Sequence, residues 1–262
     1  MEESSTKILE PASRDRKGAE EAEPTELPDN SDGLSVKRWL AAYIAYLLAL
    51  VVPAAVMLGR MGVSLRRFLD DPRGVTTAAG PVLKLLIFAI YISLACTFFP
   101  IPTGWIVSIL ATRQVGLSDS LIITTLLVAS VGAFASMVAN LHDFHLFTLV
   151  LRHKGVARLR GTKLYDRAAR WFGRRPFALL VIFNVLPIPI DVIRMLAATY
   201  RYPLRPFAAA NFIGRWIRYA VIAAGTFIMG EKGWIIAAAL LGVAIILAGV
   251  KIGGKLFARR NV

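Results

Sequence analysis

Four ionisable side chains stand inside apolar sequence: Asp191 and Arg194 in PIPIDVIRMLAAT, and Arg215 and Arg218 in NFIGRWIRYAV. Within each pair the spacing is three residues, which puts both members on one helical face. One acid against three bases leaves a positive surplus. A phosphate group would complete such a set, because the planar guanidinium fork matches phosphate oxygens. A structural reading stands beside this one. Asp191 neutralises one arginine and locks the segment, while the other arginines reach cytoplasmic headgroups along their apolar stems.

Two neutral polar residues join the candidates. Thr103 lies within the first of two proline breaks and Asn184 precedes the second. Both could line a polar path, and Asn184 could equally bond to freed backbone. His142, Asp143 and His145 form HDFH, with two histidines three residues apart. A metal would need more ligands than these, and only His153 is near, so no metal site is expected. The chain holds no HExxH, GxSxG, CxxC or P-loop pattern. Neither a nucleophile–base pair nor a cofactor cradle is visible, so an enzyme is not expected and no cofactor is implied.

These side chains need elements that carry them to depth. The chain is 56% hydrophobic and 18% charged, too apolar for a soluble domain of its length. Trp39–Gly59 is long enough to cross a bilayer, with Pro53 tolerated inside it. Leu121 to about Leu151 reads as one long helix, with small residues at Ser130, Gly132, Ala133, Ser136 and Ala139 that allow close helix approach. Pro206–Met229 and Trp234–Val250 complete the spans. The single cysteine, Cys96, cannot form an internal disulfide. Residues 1 to 34 are rich in Glu, Pro, Ser and Asp and are expected to form a disordered cytoplasmic tail ahead of an integral membrane domain over 35–262. Their opening lacks the basic and apolar regions of a cleavable signal peptide.

Two apolar stretches are broken in the same way. PIPTGWIVSILAT runs from Pro100 to Thr112, and PIPIDVIRMLAAT from Pro187 to Thr199. Pro100, Pro102 and Gly104 in the first, and Pro187 and Pro189 in the second, remove donors or loosen the backbone. Such breaks are tolerated in a membrane only within protein or around a wet cavity. Each is therefore expected to be the tip of a re-entrant hairpin, the first running in along Val82–Phe99 and out along Trp105–Thr112. A hairpin followed by a spanning helix then occurs twice. Inverted repeats of broken helices meeting near the midplane are a known plan for alternating access.

Charge sets the orientation. Before Trp39 there are ten acidic and six basic side chains; from there on there are seven acidic and 25 basic. Residues 152–175 hold nine Lys or Arg against Asp166 alone, which places that loop in the cytoplasm. Counting outward puts both termini inside. Lying between membrane segments, the basic stretch is expected to meet anionic lipid headgroups rather than nucleic acid.

The region from about Gly80 to Gly230 resembles the DedA family, the bacterial branch of the VTT-domain (SNARE-associated Golgi protein) superfamily. The resemblance rests on FFPIPTGWIVSILA, SVGAFASMVAN, ARWFGRRPFALLVIFNVLP and LAATYRYPLRPFAAANFIG, in that order. It implies an all-α polytopic protein with two facing re-entrant loops in a bacterial cytoplasmic (inner) membrane. It also implies scramblase-like translocation of membrane lipids or polyprenyl phosphates, and it leaves room for a homo-oligomer. The alternative is a non-transporting factor for membrane-protein assembly or envelope homeostasis. Two positions depart from the family pattern. Where bacterial members often carry an acid at the first hairpin, this chain has Thr103, Gly104 and Trp105. Where they often show Arg-Phe-x-Pro-x-x-Arg, it has Phe183-Asn184-Val185-Leu186-Pro187, with the nearest arginine at Arg194.

Overall fold

The computed structural model describes residues 31–63, 79–97, 103–113, 117–150, 171–186 and 191–232, with isolated positions at 66, 70, 235, 238, 239 and 242. Pro100, Pro102, Pro187 and Pro189, residues 1–30, the basic loop over 151–170 and most of the last expected span lie outside the described residues. Within them the protein is all helical, with no strand. The elements are α1 (Ser31–Arg60), α2 (Pro81–Ala95), α3 (Gly104–Ala111), α4 (Leu121–Val150), α5 (Pro176–Val185), α6 (Asp191–Thr199) and α7 (Leu204–Met229), closed by a 3-10 turn over Gly230–Lys232.

Length and apolarity separate these helices into two kinds. Val36–Arg60, Leu121–Thr148 and Leu204–Met229 are long and apolar enough to cross a membrane, since a hydrocarbon core of about 30 Å needs about 20 residues at about 1.5 Å each. At 15 and 10 residues, α2 and α5 are apolar but too short to cross. Each opens on a proline, Pro81 or Pro176, whose fixed φ suits the first turn and whose missing N–H would have had no partner there. Pro206 is tolerated in the first turn of α7 for the same reason, so that helix starts at Leu204, ahead of the expected Pro206. α1 runs through Pro53 unbroken and begins at Ser31, inside the stretch expected to be tail. Gly104 is the first residue of α3 and so belongs to the helix, not to the break assigned to it from sequence.

α4 and α7 form the centre, and every other described helix packs on one or both of them. They run antiparallel: Phe144 meets Phe207, Asn140 meets Asn211, and Ser130 meets Trp216. Two glycines allow the closeness. A Cβ on Gly132 would lie 2.9 Å from the Tyr219 ring and 3.0 Å from that of Phe88. A Cβ on Gly214 would lie 2.5 Å from the Asn184 side chain and 2.7 Å from the Val181 carbonyl oxygen, so α5 sits directly on α7. α1 joins through Tyr43, whose hydroxyl donates to the Ser93 carbonyl of α2 at 2.8 Å. Outward faces carry large exposed apolar residues, among them Leu48 and Val52 on α1, Ile122 on α4, and Val221 and Ile228 on α7. In water such a surface would invite association; around spanning helices it matches lipid tails.

The depth of each short helix follows from its neighbours. α2 starts where Ala79 and Leu83 pack on Met57 and Leu58, near the end of α1. Past the end of α3, Arg113 lies over the Phe227 ring at 4.8 Å, near the end of α7. α5 and α6 instead share an apolar cluster with Phe144 of α4 and Phe207, near the start of α7.

Candidate functional site

Arg215 lies near the middle of α7 and is 6% exposed. Its Nε donates to Asn184 Oδ1 at 3.3 Å, and its Nη1 donates to the Tyr219 hydroxyl at 3.3 Å. The Tyr219 hydroxyl in turn donates to Thr103 Oγ1 at 3.0 Å. One line of hydrogen bonds therefore joins Asn184, Arg215, Tyr219 and Thr103. Asn184 is next to last in α5, ahead of the second break, and Thr103 stands at the N-cap position of α3, without a side-chain capping bond, within the first. All four side chains are buried.

Local rules explain each placement. Arg215 and Tyr219 are four residues apart in a helix and so share a face. Asn184 is oriented from its own helix, since its Nδ2 donates to the Leu180 carbonyl at 2.8 Å. That leaves Oδ1 facing Arg215, across the gap that Gly214 keeps open. Tyr219 cannot swing away, because its ring is packed where a Gly132 side chain would be.

The electrostatics are unbalanced. Both hydrogen-bond partners of Arg215 are neutral, and among the described residues no carboxylate pairs with it. A buried charge ordinarily needs a counter-charge as well as hydrogen bonds. Arg218, one turn on, is half-buried and adds a second positive group to the same span. The arrangement suits an oxyanion.

The sequence candidates thus divide. Arg215, Asn184 and Thr103 come together in one network. Among the described residues Arg194 makes no hydrogen bond to it. It is 6% exposed and its Nη1 lies 3.3 Å from Asp143 Oδ2, a residue of α4. Asp191 opens α6, and its side chain lies outside what is described. The HDFH residues serve packing: His142 stacks on Tyr43 at 4.5 Å, His145 stacks on Trp39 at 4.6 Å, and Asp143 meets Arg194.

Sequence reasoning missed Tyr219 and weighed Asp143 only within HDFH, not as a partner of Arg194. The signals were present. Tyr219 follows Arg215 by one helical turn, and Asp143 is an acid inside a spanning helix, which marks it as a functional suspect. Buried Lys84 of α2 carried the same signal.

Helices of spanning length, short apolar helices between them and a buried cationic network define a polytopic α-helical membrane protein. The VTT domain family model matches residues 98–227, which include both breaks and the whole network. The chain belongs to the VTT-domain (DedA) family. No curated protein and no solved structure matches it.

Proposed function

We propose that the protein translocates lipids that carry a phosphate, either membrane phospholipids or polyprenyl phosphates, across a bacterial cytoplasmic membrane. One observation carries the reading: Arg215, buried near the middle of a span, is held between the two breaks by partners that, among the described residues, are all neutral. Burying an unbalanced charge in a membrane is costly, by about 2.5–3.5 kcal/mol on insertion scales. A site that binds an anionic headgroup recovers that cost when occupied.

The neighbours of the short helices support the inverted-repeat reading. Helices α2 and α3 have their outer ends beside the ends of α1 and α7, whereas α5 and α6 have theirs beside the start of α7. The two breaks then enter from opposite faces, the first from outside and the second from the cytoplasm. Both termini are cytoplasmic in this scheme.

The alternative, a non-transporting factor for membrane-protein assembly, draws on the close fit at Gly214, which would make Arg215 a clamp between α5 and α7. Reconstitution separates the two. Purified protein in liposomes should accelerate transbilayer movement of a labelled anionic phospholipid or polyprenyl phosphate. Failure with every lipid tried would favour the assembly role.

A further inference from the structure

Tyr219 is the one member of the network that touches both Arg215 and the first break. Its hydroxyl has a single proton, which it gives to Thr103 Oγ1, while its oxygen accepts from Arg215 Nη1. The ring is fixed by packing at Gly132 and Phe88, so the hydroxyl is held in place and only its hydrogen-bond partner can change. An anionic oxygen arriving at Nη1 would lie beside that same hydroxyl. Hydrogen bonds to an ionised acceptor are roughly twice as strong as those between neutral groups. The Tyr219 proton would then leave neutral Thr103 for the anion.

We infer that Tyr219 is a positioning residue that latches the first turn of α3 to Arg215, and that a phosphate-bearing ligand releases this latch by taking over the Tyr219 hydroxyl. The inference rests on the reading of Arg215 as a headgroup site. It adds a consequence which that reading lacks: occupancy at Arg215 is signalled to the first break, across the boundary between the two halves.

Hydrogen–deuterium exchange on the full chain, in a maltoside detergent free of phosphate, tests it through the backbone of residues 103–111. Dihexanoyl phosphatidate should raise exchange there by about tenfold, roughly what losing a hydrogen bond that secures a helix end is worth. Tyr219→Phe should start at the raised level without ligand and respond no further. Thr103→Val, which leaves the Arg215–Tyr219 bond in place, should also start raised. A rise with inorganic phosphate as well assigns the site to phosphate in general; a rise with phosphatidate alone assigns it to the lipid. The proposal is overturned if neither ligand changes the wild type, or if Tyr219→Phe matches the wild type with and without phosphatidate. An exchange response without lipid movement in liposomes would keep the latch and remove translocation, so the two failures are distinct.

Discussion

Arg194 Nη1 and Asp143 Oδ2 lie 3.3 Å apart, each on a side chain less than 10% exposed, and tie the short helix α6 to the long helix α4. The pair stands just past the second proline-rich stretch, since α6 begins at Asp191. Among the described residues it shares no hydrogen bond with the Arg215 network. The two arginines should therefore answer differently to mutation.

At Asp143 and Arg194 the expected response is structural. Removing one partner of a buried pair typically costs about 3–5 kcal/mol, because the other charge is left uncompensated. Asp143→Asn and Arg194→Gln should each lower the unfolding midpoint in detergent, and the double variant should regain much of the loss. Additive losses would show that the two side chains do not depend on each other.

Gly214→Ala should be more damaging than Gly132→Ala. At Gly214 the added methyl meets the Val181 carbonyl oxygen and the Asn184 side chain, and backbone cannot turn aside. At Gly132 it meets only ring atoms of Tyr219 and Phe88. Overpacking of this kind costs about 1–3 kcal/mol. Thermal stability of the two variants in one detergent checks the order, and a less stable Gly132→Ala would reverse it.

The buried asparagines give a smaller expected effect. Asn140 Nδ2 donates to Asn211 Oδ1 at 2.8 Å between α4 and α7. Hydrogen bonds between membrane helices average about 0.6 kcal/mol in double-mutant cycles, with a maximum near 1.7. The coupling between Asn140→Ala and Asn211→Ala should fall in that range, well below the coupling at Asp143 and Arg194. A coupling as large as that of the ion pair would contradict this ranking.

Much of this architecture could be read from the chain, and the reasons are physical. Spanning helices announce themselves by length and apolarity, so α1, α4 and α7 were visible to within a few residues at most ends. The prolines marked where helices must stop, and ionisable residues at depth marked Arg215 and Arg194. Partnership was the harder part. Arg194 was read on one helical face with Asp191, whose side chain lies outside what is described; the acid seen beside it is Asp143, which lies far off along the chain and close only after α6 folds back onto α4. Tyr219 carries no charge and looks like any apolar-helix tyrosine until Thr103 is placed beside it. Gly104 was assigned to the break because glycine loosens helices, but with Thr103 ahead of it the helix starts there instead.

Orientation has its own test. The loop over residues 152–175 should be cytoplasmic, given its nine basic residues against one acid. An impermeant thiol label added to intact cells should fail to modify a Thr162→Cys variant in a chain that lacks Cys96. Efficient labelling from outside would invert the topology.

The central claim is that the buried arginine site moves a phosphate headgroup, and lipid flux from arginine variants tests it most directly. Arg215→Gln combined with Arg218→Gln keeps hydrogen-bonding capacity and removes both charges. In liposomes of matched protein content, the wild type should accelerate transbilayer movement of a labelled anionic phospholipid, and the double variant, folded and inserted, should fall to the protein-free rate. Wild-type flux from the double variant would contradict the account.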